Sequence, residues 1–229
     1  MLMHSLRLIV KFIWYGIDQI FSKPSVPPEK LLKGDSKISI VILQGGFAKD
    51  YYFMYKELAD QLSLDGYKVF FVPGLGYNIK DFPTSARIVR DLIIERDLKK
   101  IVLIGHSKGG LIGKYYLQYF NADGRVLNLI AISTPFAGVP FARYLIYKRF
   151  SEFSPNSVVI KNLTSYTKEN SKIYSLIPAK DIIIKNIDSM RVEGGKNIYL
   201  KTEGHLGSVN SPEAISWILK ILKETSIKN

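Results

Sequence analysis

The chain has 229 residues, of which 47% are apolar, 23% charged and 12% aromatic. This composition is typical of one compact globular domain and excludes a disordered or fibrous protein. The absence of cysteine excludes disulfides, cysteine-based metal sites and a thiol nucleophile. The net charge of +12 favours anionic partners, but no nucleic-acid-binding motif accompanies it. We therefore expect a solvated basic surface and no nucleic-acid partner.

Residues 1–22 predict a helix with one polar and one apolar side. The polar stripe holds His4, Arg7, Lys11, Asp18 and Ser22, and the apolar side holds Leu2, Leu6, Ile9, Ile13, Ile17 and Ile20. The charges of Lys11 and Asp18 leave no apolar run of the ~20 residues that span a bilayer, and Lys11 interrupts any signal-peptide core. We expect a cytoplasmic protein. Three roles stay open for the helix: binding an anionic inner-membrane surface, capping the domain, or pairing with a second copy.

Residues 23–36 contain three prolines and predict a stiff connector. From residue 37 onward, short β-branched runs alternate with helix-length amphipathic segments. The predicted strands are Ile38–Leu43, Lys68–Val72, Lys100–Ile104, Val126–Ile132, Ile173–Ile177 and Asn197–Lys201. The predicted helices are Tyr51–Leu64, Thr84–Leu98, Lys108–Phe120, Phe141–Phe150 and Pro212–Glu224. This alternation predicts an α/β domain over 37–229, a doubly wound, mostly parallel sheet of about six strands with helices on both faces. An insert at 136–166 breaks the rhythm.

Gly105-His106-Ser107-Lys108-Gly109 is a G-x-S-x-G pattern. It follows an apolar strand and precedes a helix, which is the setting of a nucleophile elbow. Ser107 is therefore the candidate nucleophile, and Gly105 and Gly109 are the glycines that let strand and helix approach. The alternative is a plain glycine-rich βα turn. A phosphate-binding loop is disfavoured because neither of its glycine motifs fits.

A serine nucleophile needs a base, and the chain has three histidines. His106 adjoins Ser107, so its side chain should point away from it, and His4 lies in the N-terminal segment. His205 remains, in a loop after the last predicted strand. Asp181 follows a strand at the sheet edge where such sites collect, and it is the candidate for orienting the histidine. Asp188 and Glu193 are competitors farther along.

An ester-cleaving site also needs donors for the oxyanion of a tetrahedral intermediate. The backbone N–H of Phe47, after Gly45-Gly46, and that of Lys108 are the candidates. A plain strand-to-helix turn is the alternative interpretation of the two glycines.

These motifs together resemble the α/β-hydrolase superfamily, in particular its small bacterial lipases and esterases related to the GPI inositol-deacylases. The resemblance rests on the Gly-Gly-Phe loop, Val-Leu-Ile-Gly-His-Ser-Lys-Gly-Gly-Leu, Leu-Ile-Ala-Ile-Ser-Thr-Pro-Phe-Ala-Gly, Ile-Pro-Ala-Lys-Asp and Gly-His-Leu. It implies a Ser107–Asp181–His205 triad, in the chain order of that superfamily, with no cofactor and no metal. The chain departs from the family at Gln44, where His is common, and at Phe136, where a His often follows Thr-Pro.

The resemblance implies a carboxylester hydrolase with a variable insert over the site. We expect the insert's apolar residues to form an acyl pocket or lid: Phe136, Phe141, Tyr144, Leu145, Ile146, Tyr147, Phe150 and Phe153. For any single one, plain core packing is the alternative. The basic excess of residues 141–201 favours a lipid acyl ester. A thioesterase or acyltransferase with the same triad, and a non-catalytic binding module, stay open.

Overall fold

The structure is a computed structural model, and it describes residues 25–48, 51–140 and 148–228. The helix predicted over 1–22 lies outside these residues. The strands are β1 Ser39–Leu43, β2 Lys68–Phe71, β3 Ile101–His106, β4 Val126–Ile132, β5 Ile173–Ile177 and β6 Lys196–Tyr199. The α-helices are α1 Tyr51–Met54, α2 Lys56–Leu64, α3 Phe82–Glu95, α4 Lys108–Tyr119, α5 Val158–Ser165 and α6 Pro212–Lys228. Short 3₁₀ turns lie at Glu29–Leu32, Pro73–Leu75, Lys148–Phe153, Asn170–Lys172 and Ile187–Met190.

The six strands form one sheet in the order β2-β1-β3-β4-β5-β6, and every neighbouring pair is parallel. The predicted α/β class with a parallel sheet is confirmed. The chain runs outward from β1 to β2 and then returns to place β3 on the other side of β1. Such a reversal opens a crevice at the carboxyl ends of the strands, where ligands bind in open α/β sheets.

Both faces of the sheet are covered, which explains why its central strands are apolar without alternation. All five residues of β1 are buried. Ile40 and Ile42 pack on the side of α2 and α6, while Val41 and Leu43 pack on the side of α3, α4 and α5. None of the helices in the described ranges is both long and apolar enough to cross a membrane.

The first predicted helix differs from the observed structure, because Tyr51–Leu64 is divided at Tyr55. Tyr55 has φ −115° and ψ 19°, and its side chain is almost completely buried. The break directs the Tyr55 hydroxyl toward the carboxyl ends of β1 and β3, where it makes hydrogen bonds that an uninterrupted helix gives no reason to expect.

The insert differs as well. Residues 141–147 of the predicted helix Phe141–Phe150 lie outside the described ranges, and Lys148–Phe153 forms a 3₁₀ turn. Helix α5 follows, and the Ser157 hydroxyl accepts from the Ile160 N–H at its N-terminus. Serine is a favoured residue at this position because it satisfies a backbone donor that the helix leaves open.

Candidate active site

Ser107 lies on the sharp turn between β3 and α4, with φ 52° and ψ −117°. This left-handed backbone is costly for a residue with a side chain, so the surroundings must hold it. A Cβ on Gly105 would lie 2.6 Å from the Gly110 nitrogen, and one on Gly109 would collide with the Leu43 carbonyl. The two predicted elbow glycines therefore allow α4 to pack against the strands and fix Ser107 at the crevice.

Asp181 and His205 are hydrogen-bonded to each other, with 2.7 Å between Asp181 Oδ2 and His205 Nδ1. The side chain of Asp181 is fully buried, and its Oδ1 accepts from the backbone N–H groups of Ile183 and Ile184, both at 2.8 Å. Four residues separate Asp181 from the end of β5, so it lies at the same sheet edge as Ser107. A carboxylate that accepts from Nδ1 leaves the lone pair of His205 on Nε2.

The two competing acids lie elsewhere. Asp188 and Glu193 are exposed and line a separate cavity. Neither is bonded to His205 in the described part of the chain. The structure thus brings Asp181, and not these two, to the predicted base.

His106 points away from Ser107, as expected, but it is an organising residue of the site. Its Nε2 lies 3.0 Å from the backbone carbonyl of His205, and its Nδ1 lies 3.0 Å from the Tyr55 hydroxyl. Because a carbonyl only accepts, the proton must be on Nε2, and Nδ1 must accept from Tyr55. The Tyr55 oxygen in turn accepts from the Gly45 N–H at 2.8 Å. Burial, assisted by the nearby His205, holds the pKa of His106 well below its usual value, so the ring is neutral.

This chain of three hydrogen bonds joins the loop after β1 to the loop that carries His205. The His205 carbonyl also accepts from the Ser208 hydroxyl at 3.1 Å, and the two imidazole centroids are 4.8 Å apart. Between the described side chains of Ser107 and His205 no hydrogen bond is formed. The His205 loop is therefore held against the nucleophile turn through its backbone. Sequence reasoning missed Tyr55, since nothing in the pattern of an amphipathic helix marks it.

The loop after β1 lies over the nucleophile turn. A Cβ on Gly45 would be 3.5 Å from the Ser107 Cβ, and one on Gly46 would be 3.9 Å from the Lys108 Cδ. The N–H of Phe47, the predicted oxyanion donor, instead donates to the Tyr77 carbonyl at 2.7 Å. The Gly46 N–H has no acceptor among the described residues. Phe47 is thus committed to its neighbouring loop, while Gly46 faces the turn.

The same loop is anchored from behind by Gln44, the residue that replaces the family's histidine. Gln44 Nε2 donates to the Gly76 carbonyl at 3.1 Å, and the Asn78 amide donates to the Gln44 carbonyl at 2.5 Å. These bonds and that of Phe47 tie the loop after β1 to residues 76–78. The position of the two glycines is therefore fixed by buried polar contacts.

The insert contacts the site through Lys108. Its buried ammonium donates to the Lys80 carbonyl and lies 5.6 Å from the Phe82 ring centroid and 6.0 Å from that of Phe153. Phe153 also packs edge-on against Phe82 at 5.3 Å, and Phe136 is buried in the same core. These two predicted pocket residues therefore serve as core packing. The side chains of Phe141, Tyr144, Leu145, Ile146, Tyr147 and Phe150 lie outside the described part of the structure.

A family model described as alpha/beta hydrolase fold matches residues 39–174. Because this match covers more than half of the chain, the chain belongs to the α/β-hydrolase fold family.

The chain is also similar to solved structures. Lipase B of Aspergillus fumigatus superposes with a TM-score of 0.66 at 17% identity, over 83% of this chain and 53% of the lipase. The mature lipase BlEst2 of Bacillus licheniformis gives 0.61 at 14% identity, over 89% and 96%. MGS-MChE2, an α/β-hydrolase from the metagenome of lagoon sediments at Mar Chica, Morocco, gives 0.57 at 17% identity, over 84% and 92%. This chain therefore spans about half of the Aspergillus lipase. At these identities the likeness shows the fold alone, and the finer relation to GPI inositol-deacylases stays a prediction.

Replacing Tyr55 by Phe tests the hydrogen-bond chain. The variant leaves the Gly45 N–H and His106 Nδ1 without a partner, and an unsatisfied buried polar group costs about 1–3 kcal/mol. Urea unfolding should therefore show a loss of this size. The matched control is Tyr116→Phe, because Tyr116 is equally buried and its hydroxyl makes no hydrogen bond within the described residues. Equal losses in the two variants would contradict the account.

Proposed function

We propose that this α/β-hydrolase is a serine hydrolase that cleaves a carboxylic ester with a lipid-like acyl chain. The observation that carries the proposal is the buried Asp181–His205 hydrogen bond at the same sheet edge as the strained Ser107 turn. A nucleophile, a base and an orienting acid are thereby supplied by the carboxyl ends of β3, β6 and β5.

In the proposed reaction, Ser107 Oγ attacks the ester carbonyl carbon while His205 Nε2 takes the hydroxyl proton. Asp181 holds the imidazole in the required tautomer and stabilises its protonated form. The tetrahedral intermediate collapses when the C–O bond to the alcohol breaks and His205 gives its proton to the leaving oxygen. Water then attacks the acyl-enzyme with His205 again as base, and releases the carboxylic acid and free Ser107. Contacts of this kind often tighten only when substrate binds.

The oxyanion would be stabilised by two backbone amides. Lys108 is the first residue of α4, and the first N–H groups of a helix have no acceptor within it and lie at the positive end of its dipole. We assign the second donor to Gly46, in place of Phe47, because Gly46 lies beside Lys108 and the Phe47 N–H is used by Tyr77. Preformed donors of this type lower the barrier because they need no reorganisation during the reaction.

Two observations support an apolar acyl group. The side chains of Phe47 and Tyr77 are 57% and 42% exposed and stand next to the proposed oxyanion donors, so they offer apolar surface at the mouth of the crevice. Two of the similar solved structures are named as lipases. A thioesterase or acyltransferase would share the first half-reaction, and the acceptor of the acyl group distinguishes them.

The direct test is hydrolysis of a p-nitrophenyl ester series from acetate to palmitate. We expect the wild type to prefer the longer acyl chains and Ser107→Ala to lose the activity. The control is Ser165→Ala, an exposed serine of α5, which should match the wild type. If the folded wild type cleaves none of the esters and no thioester, the proposal fails and a binding module becomes the better interpretation.

Asp181→Asn tests the orienting acid. An amide cannot stabilise the imidazolium and favours the wrong tautomer, so we expect the turnover number to fall by roughly three to four orders of magnitude. Steady-state kinetics on the best ester of the series measures this. Asp188→Asn changes the competing acid and should leave turnover unaltered. A large loss with Asp188 and none with Asp181 would transfer the role to the competitor.

A further inference from the structure

A cavity of about 420 Å³ lies between α4, α5, the loop after β4 and the turns that flank β5. Ser107 is not among the residues that line it. Lys114 of α4 forms part of the wall, and it is seven residues along the helix from Ser107, which corresponds to roughly 10 Å at 1.5 Å per residue. The cavity is therefore separate from the proposed catalytic crevice.

Lys114 brings a buried positive charge to this cavity. Only 4% of the residue is exposed, and within the described residues its ammonium has no hydrogen-bond acceptor and no acidic partner. Its closest electrostatic contact is the face of Phe136, 5.7 Å from the ring centroid. Burial lowers the pKa of Lys114 to about 8, so the group still carries its proton at neutral pH. An unpaired buried charge is costly, and a bound anion would relieve that cost.

Asn170 supplies a second unsatisfied group in the same wall. It is 2% exposed, and its Nδ2 donates to the Glu193 carbonyl at 2.7 Å. Its buried Oδ1 has no donor among the described residues. The side-chain amide is thus held in one orientation, and an acceptor is left for a hydrogen-bond donor inside the cavity.

The remaining lining residues limit the charge and size of the ligand. Phe136 and Val192 give apolar walls, whereas Asp188, Arg191 and Glu193 are exposed at the rim. Since the rim carries one positive and two negative groups, it adds no further attraction for anions. A single buried ammonium is neutralised by a monoanion, and a dianion would leave an excess negative charge.

We propose that this cavity binds a small hydroxycarboxylate, with the carboxylate on Lys114 Nζ and the hydroxyl donating to Asn170 Oδ1. The carbon skeleton contacts Phe136 and Val192. The proposal does not depend on the hydrolase activity, since no lining residue belongs to the proposed triad.

Isothermal titration calorimetry on the full chain at pH 7 tests the site, with lactate, acetate and inorganic phosphate as probes. Lactate should bind at one site and more tightly than acetate or phosphate. Lys114→Met should weaken lactate binding by about tenfold or more, because a charge-assisted hydrogen bond is lost. Lys220→Met, an exposed lysine of α6, is the matched control and should bind as the wild type does. In Asn170→Leu the advantage of lactate over acetate should vanish.

The pH dependence gives an independent readout. Because only protonated Lys114 binds the carboxylate, the apparent affinity should be constant below the Lys114 pKa of about 8. Above that pH it should fall by about tenfold per unit, as the competent fraction falls. Equal lactate affinity in Lys114→Met and wild type would overturn the proposal, as would an absence of lactate binding to the folded chain at millimolar concentration. Tighter binding of phosphate than of lactate would overturn the assignment to a carboxylate.

Discussion

The strained turn at Ser107 is the constraint on which the site depends. A side chain with φ 52° persists only where the packing around it leaves no relaxed alternative. Here β3 and α4 supply that packing, since Gly105 and Gly109 bring helix backbone against strand backbone with no room for a Cβ. The strain sets Ser107 apart from an ordinary helix N-terminal serine. It lifts the hydroxyl out of the sheet and places the first amides of α4 beside it.

The turn also determines what its neighbour does. Because Ser107 faces the crevice, His106 is directed into the protein, where burial keeps its imidazole neutral. A neutral imidazole has one donor and one acceptor on opposite sides of the ring. His106 uses the donor on the His205 carbonyl and the acceptor on Tyr55. The loop that carries the proposed base and the loop that carries the proposed oxyanion donor are thereby held in register by one ring.

Sequence reasoning predicted the parallel sheet because buried strands and amphipathic helices have distinct apolar periods, and it placed Asp181 and His205 after neighbouring strands. The structure brings those two side chains together. It could not predict the break at Tyr55, because this break depends on a hydrogen bond to His106 that is distant in sequence. Nor could it choose between the amides of Gly46 and Phe47, since the choice follows from how the loop meets Tyr77. Periodicity encodes burial, whereas polar contacts between loops depend on three-dimensional packing.

The central claim is that Ser107 is activated by its surroundings. Labelling of the folded protein with a fluorophosphonate, followed by peptide mass spectrometry, tests it most directly, because an unactivated serine does not react with this reagent. The account predicts one modified serine, Ser107, and loss of labelling in His205→Ala. Labelling at another serine, or none in the folded wild type, would contradict it.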